Sequence, residues 1–192
     1  MFTEAFLFLL NTLLGLFTIA VLLRFYLQLT GAPYYNPVSQ AVVTATNFLV
    51  RPVRRFTPSW RSLDLSTLVL AFIAQLIIKL AQLWAEDYPL GVANFNVYLA
   101  IFGLVILALI KLSLHIFLYA VIIQAIMSWV SPYNGATDAL NSLTAPMLNP
   151  IRRLIGNNIG GLDFSPLIVF LLAQLVLMLV IAPLERLLMS ML

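Results

Sequence analysis

Four long apolar stretches divide the chain, and each is long enough to cross a membrane. They run from about 5 to 29, 65 to 85, 97 to 130 and 164 to 182. A helix needs about 20 apolar residues to cross the hydrocarbon core of a bilayer. The pattern therefore predicts an all-α membrane protein with four transmembrane helices.

The third and fourth stretches carry features that a simple span lacks. One helix over residues 97–130 would extend about 50 Å, against a hydrocarbon core of about 30 Å. It must tilt, protrude from the bilayer or break near Lys111 and His115. The fourth stretch meets Pro183, which predicts a stop or a kink because proline removes a helical hydrogen bond.

Two loops, at about 30–63 and 131–162, separate the first span from the second and the third from the fourth. Each loop contains a short segment whose apolar residues recur at helical spacing. We expect each segment to form an amphipathic helix in the headgroup plane, ended by Pro52 in the first loop and Pro150 in the second. The predicted apolar faces are Val38, Val42, Ala45 and Leu49, and Leu140, Leu143 and Met147.

The two loops are copies of one pattern. A match of about 25 residues predicts that the chain is a tandem duplication. Its units are two two-helix repeats, at residues 1–90 and 91–192. Pro52-Val53-Arg54-Arg55 recurs as Pro150-Ile151-Arg152-Arg153, and Leu63-Asp64-Leu65-Ser66 recurs as Leu162-Asp163-Phe164-Ser165.

The charges predict the orientation of the chain. Six arginines lie in the two loops, whereas the connector between the second and third spans carries Glu86 and Asp87, with no cation before Lys111. By the positive-inside rule, both loops are expected in the cytoplasm and both termini outside. The two units then share one orientation, which makes them a parallel repeat.

The repeated arginines are the first candidate site. Arg54 and Arg55, like Arg152 and Arg153, directly follow the predicted interfacial segments. They are either a topology signal or a binding site for anionic lipid headgroups or a partner. We expect one arginine of each pair to contact the aspartate about ten residues downstream and the other to face lipid phosphate, because the planar guanidinium suits both partners.

The second candidate site is the helix start that follows each arginine pair, Asp64 with Ser66 and Asp163 with Ser165. Aspartate is favoured as an N-cap because its carboxylate accepts hydrogen bonds from free backbone N–H groups and meets the positive end of the helix dipole. The alternatives are a cation or proton site, or an ion pair with the upstream arginines. Capping and pairing are compatible.

Polar residues within the spans form the third set of candidates. Gln75 and Gln174 lie 11 residues after the two aspartates and share a helix face with them, which Lys79 extends in the first copy. Such amides either bind a neighbouring helix or line a polar path. Lys111 and His115 lie one turn apart in the third span, where ionisable groups are functional candidates, although Lys111 can also extend to the interface.

Composition supports a membrane protein and excludes several classes. The chain is 62% apolar and 9% charged, against about 25% charged residues in soluble proteins. It has no cysteine, which excludes disulfides, thiolate nucleophiles and iron–sulfur clusters. Nucleotide-binding, zinc-protease and serine-hydrolase motifs are absent. We therefore expect a non-enzyme with no catalytic residue, metal or cofactor, and no direct contact with nucleic acid.

These motifs resemble the bacterial YggT family, whose plastid relatives are the YlmG-type proteins. The resemblance covers nearly the whole chain, although in the first copy Thr67 replaces the proline after serine and Leu29 stands about where Trp129 does. It implies a protein of the bacterial cytoplasmic membrane, with suggested roles in osmotic or envelope stress tolerance and cell division. The second copy carries the fuller motif, Met127-Ser128-Trp129-Val130-Ser131-Pro132, then Pro146, Pro150-Ile151-Arg152-Arg153 and Asp163-Phe164-Ser165-Pro166.

The function predicted from these observations is a non-enzymatic scaffold or assembly factor, and the resemblance implies a link to envelope stress, osmotic stress or cell division. Its cytoplasmic loops would form the contact surface. Expected partners are anionic lipid headgroups, a second copy of the chain, or membrane and division proteins. The alternative is an oligomeric transporter or channel subunit for an ion or osmolyte, with a path along Asp64, Asp163, Gln75 and Gln174.

Overall fold

The computed structural model describes residues 1–57, 63–92, 94–130, 135–155 and 163–192. The predictions that involve Arg61, Leu162 and Ser131-Pro132 lie outside the described residues. Seven α-helices cover most of the described residues. They are α1 (Phe2–Leu29), α2 (Pro37–Val53), α3 (Leu65–Ala85), α4 (Phe95–Val130), α5 (Gly135–Ile155), α6 (Ser165–Val176) and α7 (Ala182–Met189).

Four helical segments of the described chain are long and apolar enough to cross a membrane, which confirms the predicted four-span, all-α architecture. The helices α2 and α5 occupy the two loops, so each unit runs from a span through a loop helix to a second span. A 3-10 turn at Leu90–Val92 lies between the two units. The four segments are Phe2–Leu29, Leu65–Ala85, Phe95–Ser128 and Ser165–Met189.

The third span is one continuous helix. α4 contains 36 residues, about 54 Å of helix, and it passes through Lys111 and His115 without a break. Of the three ways to accommodate its length, tilt and protrusion therefore remain.

The fourth span continues past Pro183, so the predicted end at residue 182 is wrong. A π-helical turn, Leu177–Ile181, directly precedes α7. The wider turn makes room for the proline ring and absorbs the hydrogen bond that proline cannot donate. The segment therefore reaches Met189 and brings Glu185 into the span.

The prolines in the two loops do not end their helices, contrary to the sequence-based prediction. Pro52 lies inside α2, which ends at Val53, and Pro150 lies inside α5, which ends at Ile155. A proline near the end of a helix removes one donor, yet its carbonyl still accepts. Arg152 and Arg153 consequently belong to the last turn of α5.

The two loop helices bury their predicted apolar faces to different extents. In α5, Leu143 is buried and Leu140 and Met147 are half-buried, as expected. In α2 the buried side chains are Ser39, Thr46 and Val50. Ala45 and Leu49 are exposed there, and Val38 and Val42 are half-buried.

Equivalent positions of the two units build equivalent cores. In each unit one residue from the first span, one from the loop helix and one from the second span pack together. A further cluster joins the units at the loop helices, where Leu27 of α1 and Ala120 of α4 pack with Ala139 and Leu143 of α5. The equivalent cores are Val21, Val50 and Leu70, and Val121, Leu148 and Val169.

Candidate functional site

The first unit contains the predicted ion pair between arginine and aspartate. Nη2 of Arg54 donates to Oδ2 of Asp64. The Asp64 side chain is fully buried, whereas that of Arg54 is 45% exposed. The second carboxylate oxygen, Oδ1, is buried and has no hydrogen-bond partner among the described residues. Arg54 is therefore the main compensation for a fully buried negative charge.

The second unit contains the equivalent pair in a more open setting. Nε and Nη2 of Arg152 donate to Oδ2 of Asp163 at 3.0 and 2.7 Å, and both side chains are 34% exposed. Burial acts to raise the pKa of Asp163, but hydrogen bonds from Ser165 and the guanidinium of Arg152 outweigh it and hold the pKa below its usual range. Arg55 and Arg153, the other members of the arginine pairs, are exposed.

The two aspartates meet their helix starts differently, and in the described ranges neither makes a side-chain capping bond from the N-cap position, which in α6 belongs to Phe164. Oδ1 of Asp163 accepts from the backbone N–H of Ser165 at 2.9 Å. Asp64 occupies the N-cap position of α3, yet within the described chain its carboxylate makes no capping bond. There the hydroxyl of Thr67 donates to the carbonyl of Asp64 at 2.6 Å. The capping prediction is therefore wrong for the Asp64 carboxylate, which Arg54 engages instead.

Ser66 and Ser165 are both buried, but they make different contacts. The hydroxyl of Ser66 donates to the carbonyl of Thr57 at 3.1 Å and accepts from the Thr57 hydroxyl at 2.8 Å. This links the start of α3 to the segment that follows α2. Ser165 bonds to Asp163 through its backbone and side chain.

A polar cluster that sequence analysis missed ties each loop helix to the first span of its unit. Thr46 and Thr144 are the equivalent fully buried residues of α2 and α5. Nη1 of Arg24 donates to the Thr46 hydroxyl at 2.8 Å and to Oδ1 of Asn47 at 3.0 Å. In the second unit Gln124 takes the place of Arg24. The repeated threonine was the available sequence signal.

Both polar atoms of the Gln124 side-chain amide form hydrogen bonds within the second unit. Its Oε1 accepts from the Thr144 hydroxyl, and its Nε2 donates to Oδ1 of Asn141 at 2.6 Å. The two units thus build the same contact between span and loop helix, one with a cation and the other with a neutral amide.

A cleft opens beside this cluster in each unit. The first cleft, about 360 Å³, is lined by Arg24, Gln28, Tyr34, Ser39 and Arg54. The second cleft, about 390 Å³, is lined at equivalent positions by Gln124, Ser128, Thr137 and Arg152, together with Asn141 and Asn149. Among the described residues, the first cleft therefore has two guanidinium groups in its wall and the second has one.

The two intramembrane glutamines do not occupy equivalent environments. Gln75 is buried, and its Nε2 donates to the Thr18 hydroxyl of α1 at 3.2 Å. Gln174 is exposed on α6. Gln75 thus acts as a link between the two spans of its unit, and the predicted symmetric path along both Asp–Gln faces does not form within one chain.

The other intramembrane candidates, Lys79, Lys111 and His115, line a cavity between the two units, which we call the intramembrane cavity. Its volume is about 560 Å³. Nζ of Lys111 lies 3.0 Å from Oε2 of Glu185, whereas Nζ of Lys79 lies 3.8 Å from the sulfur of Met189. The cavity is lined by Asn11, Lys79, Gln82, Lys111, His115 and Glu185, among others.

His115 bonds to its own helix. Its Nδ1 lies 2.7 Å from the carbonyl oxygen of Lys111, one turn earlier, and its ring centroid lies 6.1 Å from that of Tyr119. No cluster of three or more metal-ligating side chains occurs within the described ranges.

An apolar groove lies between α1, α4 and the loop helices. Its volume is about 370 Å³, and its lining is almost free of polar surface. Leu27 lines both this groove and the first cleft. The groove and the first cleft therefore share one lining residue near the end of α1.

Both units of the chain are similar to known proteins. The family model CCB3/YggT matches residues 3–85 and 103–184. An uncharacterized protein of Pseudomonas aeruginosa is 43% identical over 176 residues, covering 91% of this chain and 87% of the relative. The uncharacterized protein YggT of Escherichia coli is 38% identical over 170 residues, covering 88% and 85%.

A third relative, an uncharacterized protein encoded near proC in Vibrio alginolyticus, is 36% identical over 165 residues, covering 85% of this chain and 86% of the relative. No solved structure matches the chain. The similarity extends over most of each relative, and all three relatives are uncharacterized.

Proposed function

The chain belongs to the CCB3/YggT family, and from this premise we propose that this multi-pass membrane protein is a non-enzymatic scaffold or assembly factor. We place it in the bacterial cytoplasmic membrane, where it supports osmotic or envelope stress tolerance or cell division. Its contact surface is the loop platform, by which we mean the outer faces of α2 and α5. Anionic lipid surrounds this platform, and a membrane or division protein, or a second copy of the chain, binds it.

The observation that carries this proposal is the rigid attachment of both loop helices to the spans and to each other. Buried hydrogen bonds at Thr46 and Thr144 fix each loop helix to the first span of its unit. The cluster around Leu143 joins the two units. A surface that is already ordered loses little conformational entropy on binding, so it suits a scaffold better than a mobile loop does.

The orientation of the platform is the first testable part. Because the loops carry the arginines, we expect the platform in the cytoplasm and both termini outside. A reporter active only in the cytoplasm should work within residues 134–145 and fail after Leu192. A reporter active only outside should give the reverse pattern. Activity of the cytoplasmic reporter at Leu192 would contradict the orientation.

The platform itself is tested by matched threonine substitutions. Thr44 is exposed on α2. Thr3 is exposed at the start of α1, the end of that helix far from α2 in the sequence. Thr44→Glu places a charge on the contact surface, so it should remove most of the rescue of a deletion strain under osmotic stress. Thr3→Glu should rescue fully. The measurement is growth at high osmolarity, with membrane abundance and thermal stability of both variants checked.

The scaffold proposal fails if Thr44→Glu and Thr3→Glu rescue equally at equal abundance. It also fails if both lose rescue, because the loss would then not depend on the platform.

The intramembrane cavity favours a second candidate function, an oligomeric transporter or channel subunit for an ion or osmolyte. Lys79, Lys111 and Glu185 line this space between the units, and ionisable groups inside a membrane commonly mark ion pathways. A four-span chain is small for a pore, so this function requires several copies.

A further inference from the structure

We propose that the first cleft binds the phosphate group of an anionic phospholipid, and that the equivalent cleft of the second unit does not. The inference is independent of the scaffold role. The recognised chemistry is a phosphate anion, held by the guanidinium of Arg24 with help from Arg54 and Tyr34. Arg24 lies five residues before the end of α1, about 7.5 Å along the helix, which is close to the expected level of the headgroups.

Arg24 is a nearly buried cation without a carboxylate partner among the described residues. Its side chain is held by two neutral oxygens, those of Thr46 and Asn47, and the residue is only 8% exposed. Asp64 is the nearby acid, but Arg54 already engages it. A buried charge is costly unless it is paired, so the site lacks one anion.

The donors of Arg24 are arranged to receive that anion. Both bonds to protein oxygens use Nη1, so the Nη2 and Nε donors are not used by the described part of the chain. Nε and Nη2 together present the fork that binds two oxygens of a phosphate. Arg24 also lines the cleft, so a bound phosphate can reach it.

The second unit indicates that the fold does not require a cation here. Gln124 occupies the place of Arg24 and makes the equivalent contact to the loop helix through Thr144 and Asn141. The second cleft retains Arg152, which Asp163 pairs. Its charges balance, whereas the first cleft keeps one net positive charge from Arg24, Arg54 and Asp64. The charge of Arg24 therefore has a use other than folding.

The surroundings favour a lipid over a soluble phosphate. Leu27 lines both the first cleft and the apolar groove. A headgroup phosphate at Arg24 therefore lies beside an apolar surface that accommodates an acyl chain. A free phosphate ion would gain nothing from this groove, since burial of apolar area contributes only when the ligand carries a chain.

The test compares lipid binding by the purified full chain and variants, using native mass spectrometry and the rise in melting temperature on addition of ligand. The probes are phosphatidylglycerol, phosphatidylcholine and inorganic phosphate. The wild type should bind phosphatidylglycerol in preference to phosphatidylcholine. Arg24→Gln, which introduces the residue of the second unit, should weaken binding about tenfold, the effect of losing roughly 1.4 kcal/mol.

Arg186→Gln is the matched control, because it removes an exposed arginine from α7, outside the first cleft. It should leave phosphatidylglycerol binding unchanged. Tyr34→Phe removes one hydroxyl from an exposed side chain of the cleft, so it should weaken binding two- to threefold. This variant tests the site even if Arg24→Gln fails to fold.

Equal phosphatidylglycerol binding by the wild type and folded Arg24→Gln would overturn the site. If Arg24→Gln fails to fold, unchanged binding by Tyr34→Phe would overturn it. If Arg186→Gln weakens phosphatidylglycerol binding as much as Arg24→Gln does, the loss reflects net charge alone, and the proposed site would again be overturned. Competition by inorganic phosphate at the same concentration as the lipid would overturn the lipid assignment.

Discussion

Replacing Arg54 with glutamine should lower the free energy of unfolding by about 3 kcal/mol, because it leaves the buried charge of Asp64 without its partner. The same replacement at Arg152 should lower it by only about 0.5 kcal/mol, as is usual for an exposed pair. The difference follows from burial, since the Asp64 side chain is fully buried and that of Asp163 is 34% exposed. Denaturant titration of both variants in one detergent measures it.

The double variant Arg54→Gln with Asp64→Asn separates a lost charge pair from a lost packing contact. It should be more stable than Arg54→Gln alone, because the uncompensated charge is gone. A double variant no more stable than Arg54→Gln would contradict the role of the buried charge.

The Arg152 effect should also depend on pH in a defined direction. Because the folded pKa of Asp163 is lowered, its contribution is fully present above the ordinary aspartate pKa of about 3.9. The contribution is lost as the pH falls through the lower folded value. The small stability difference between wild type and Arg152→Gln should therefore disappear in strong acid.

The repeat explains how much of this site the sequence could predict. Arginine and aspartate recur with nearly the same spacing in two places, so a pair between them was a reasonable expectation, and both pairs form. Their unequal burial was not predictable, since it depends on how the rest of the fold packs around each turn. One pair is a buried structural contact and the other is a surface contact.

The polar contact between span and loop helix was missed for a different reason. Arg24 and Gln124 are chemically unlike, so similarity between the copies did not bring them together. Their shared partners, Thr46 and Thr144, are identical and fully buried. A hydroxyl that must satisfy a cation or an amide lies toward the protein, which also explains why α2 buries Thr46 more deeply than its predicted apolar face.

Hydropathy predicted the span boundaries except the end of the fourth span, and it did not predict the local backbone at the prolines. Proline is expected to end a helix, yet Pro52 and Pro150 lie within α2 and α5. At Pro183 a π-helical turn absorbs the distortion and the span continues. This continuation places Glu185 opposite Lys111, a pair that no local sequence pattern could reveal because 74 residues separate its members.

Single replacement of either member of this pair should destabilise the protein by about 2–3 kcal/mol, the cost of an unpaired charge inside a bilayer. The variants are Lys111→Met and Glu185→Gln. Combined, they should recover most of the lost stability, because neither member of the pair is left without the other. Lys79→Met is the matched control. The Lys79 ammonium makes no ion pair within the described part of the chain and contacts the sulfur of Met189, so its removal should change stability far less than either single variant.

The same three Lys111 and Glu185 variants test the transport function in liposomes. If ions or osmolytes pass through the intramembrane cavity, the wild type should release trapped K⁺ or protons faster than empty liposomes. The double variant should then lose this flux while keeping most of its stability, since it removes both charges of the pair from the cavity wall together. Flux equal in the wild type and the double variant would place the path elsewhere. If the folded, inserted wild type shows no flux above empty liposomes, the pair is structural, and Lys111 and Glu185 serve to hold α4 against α7.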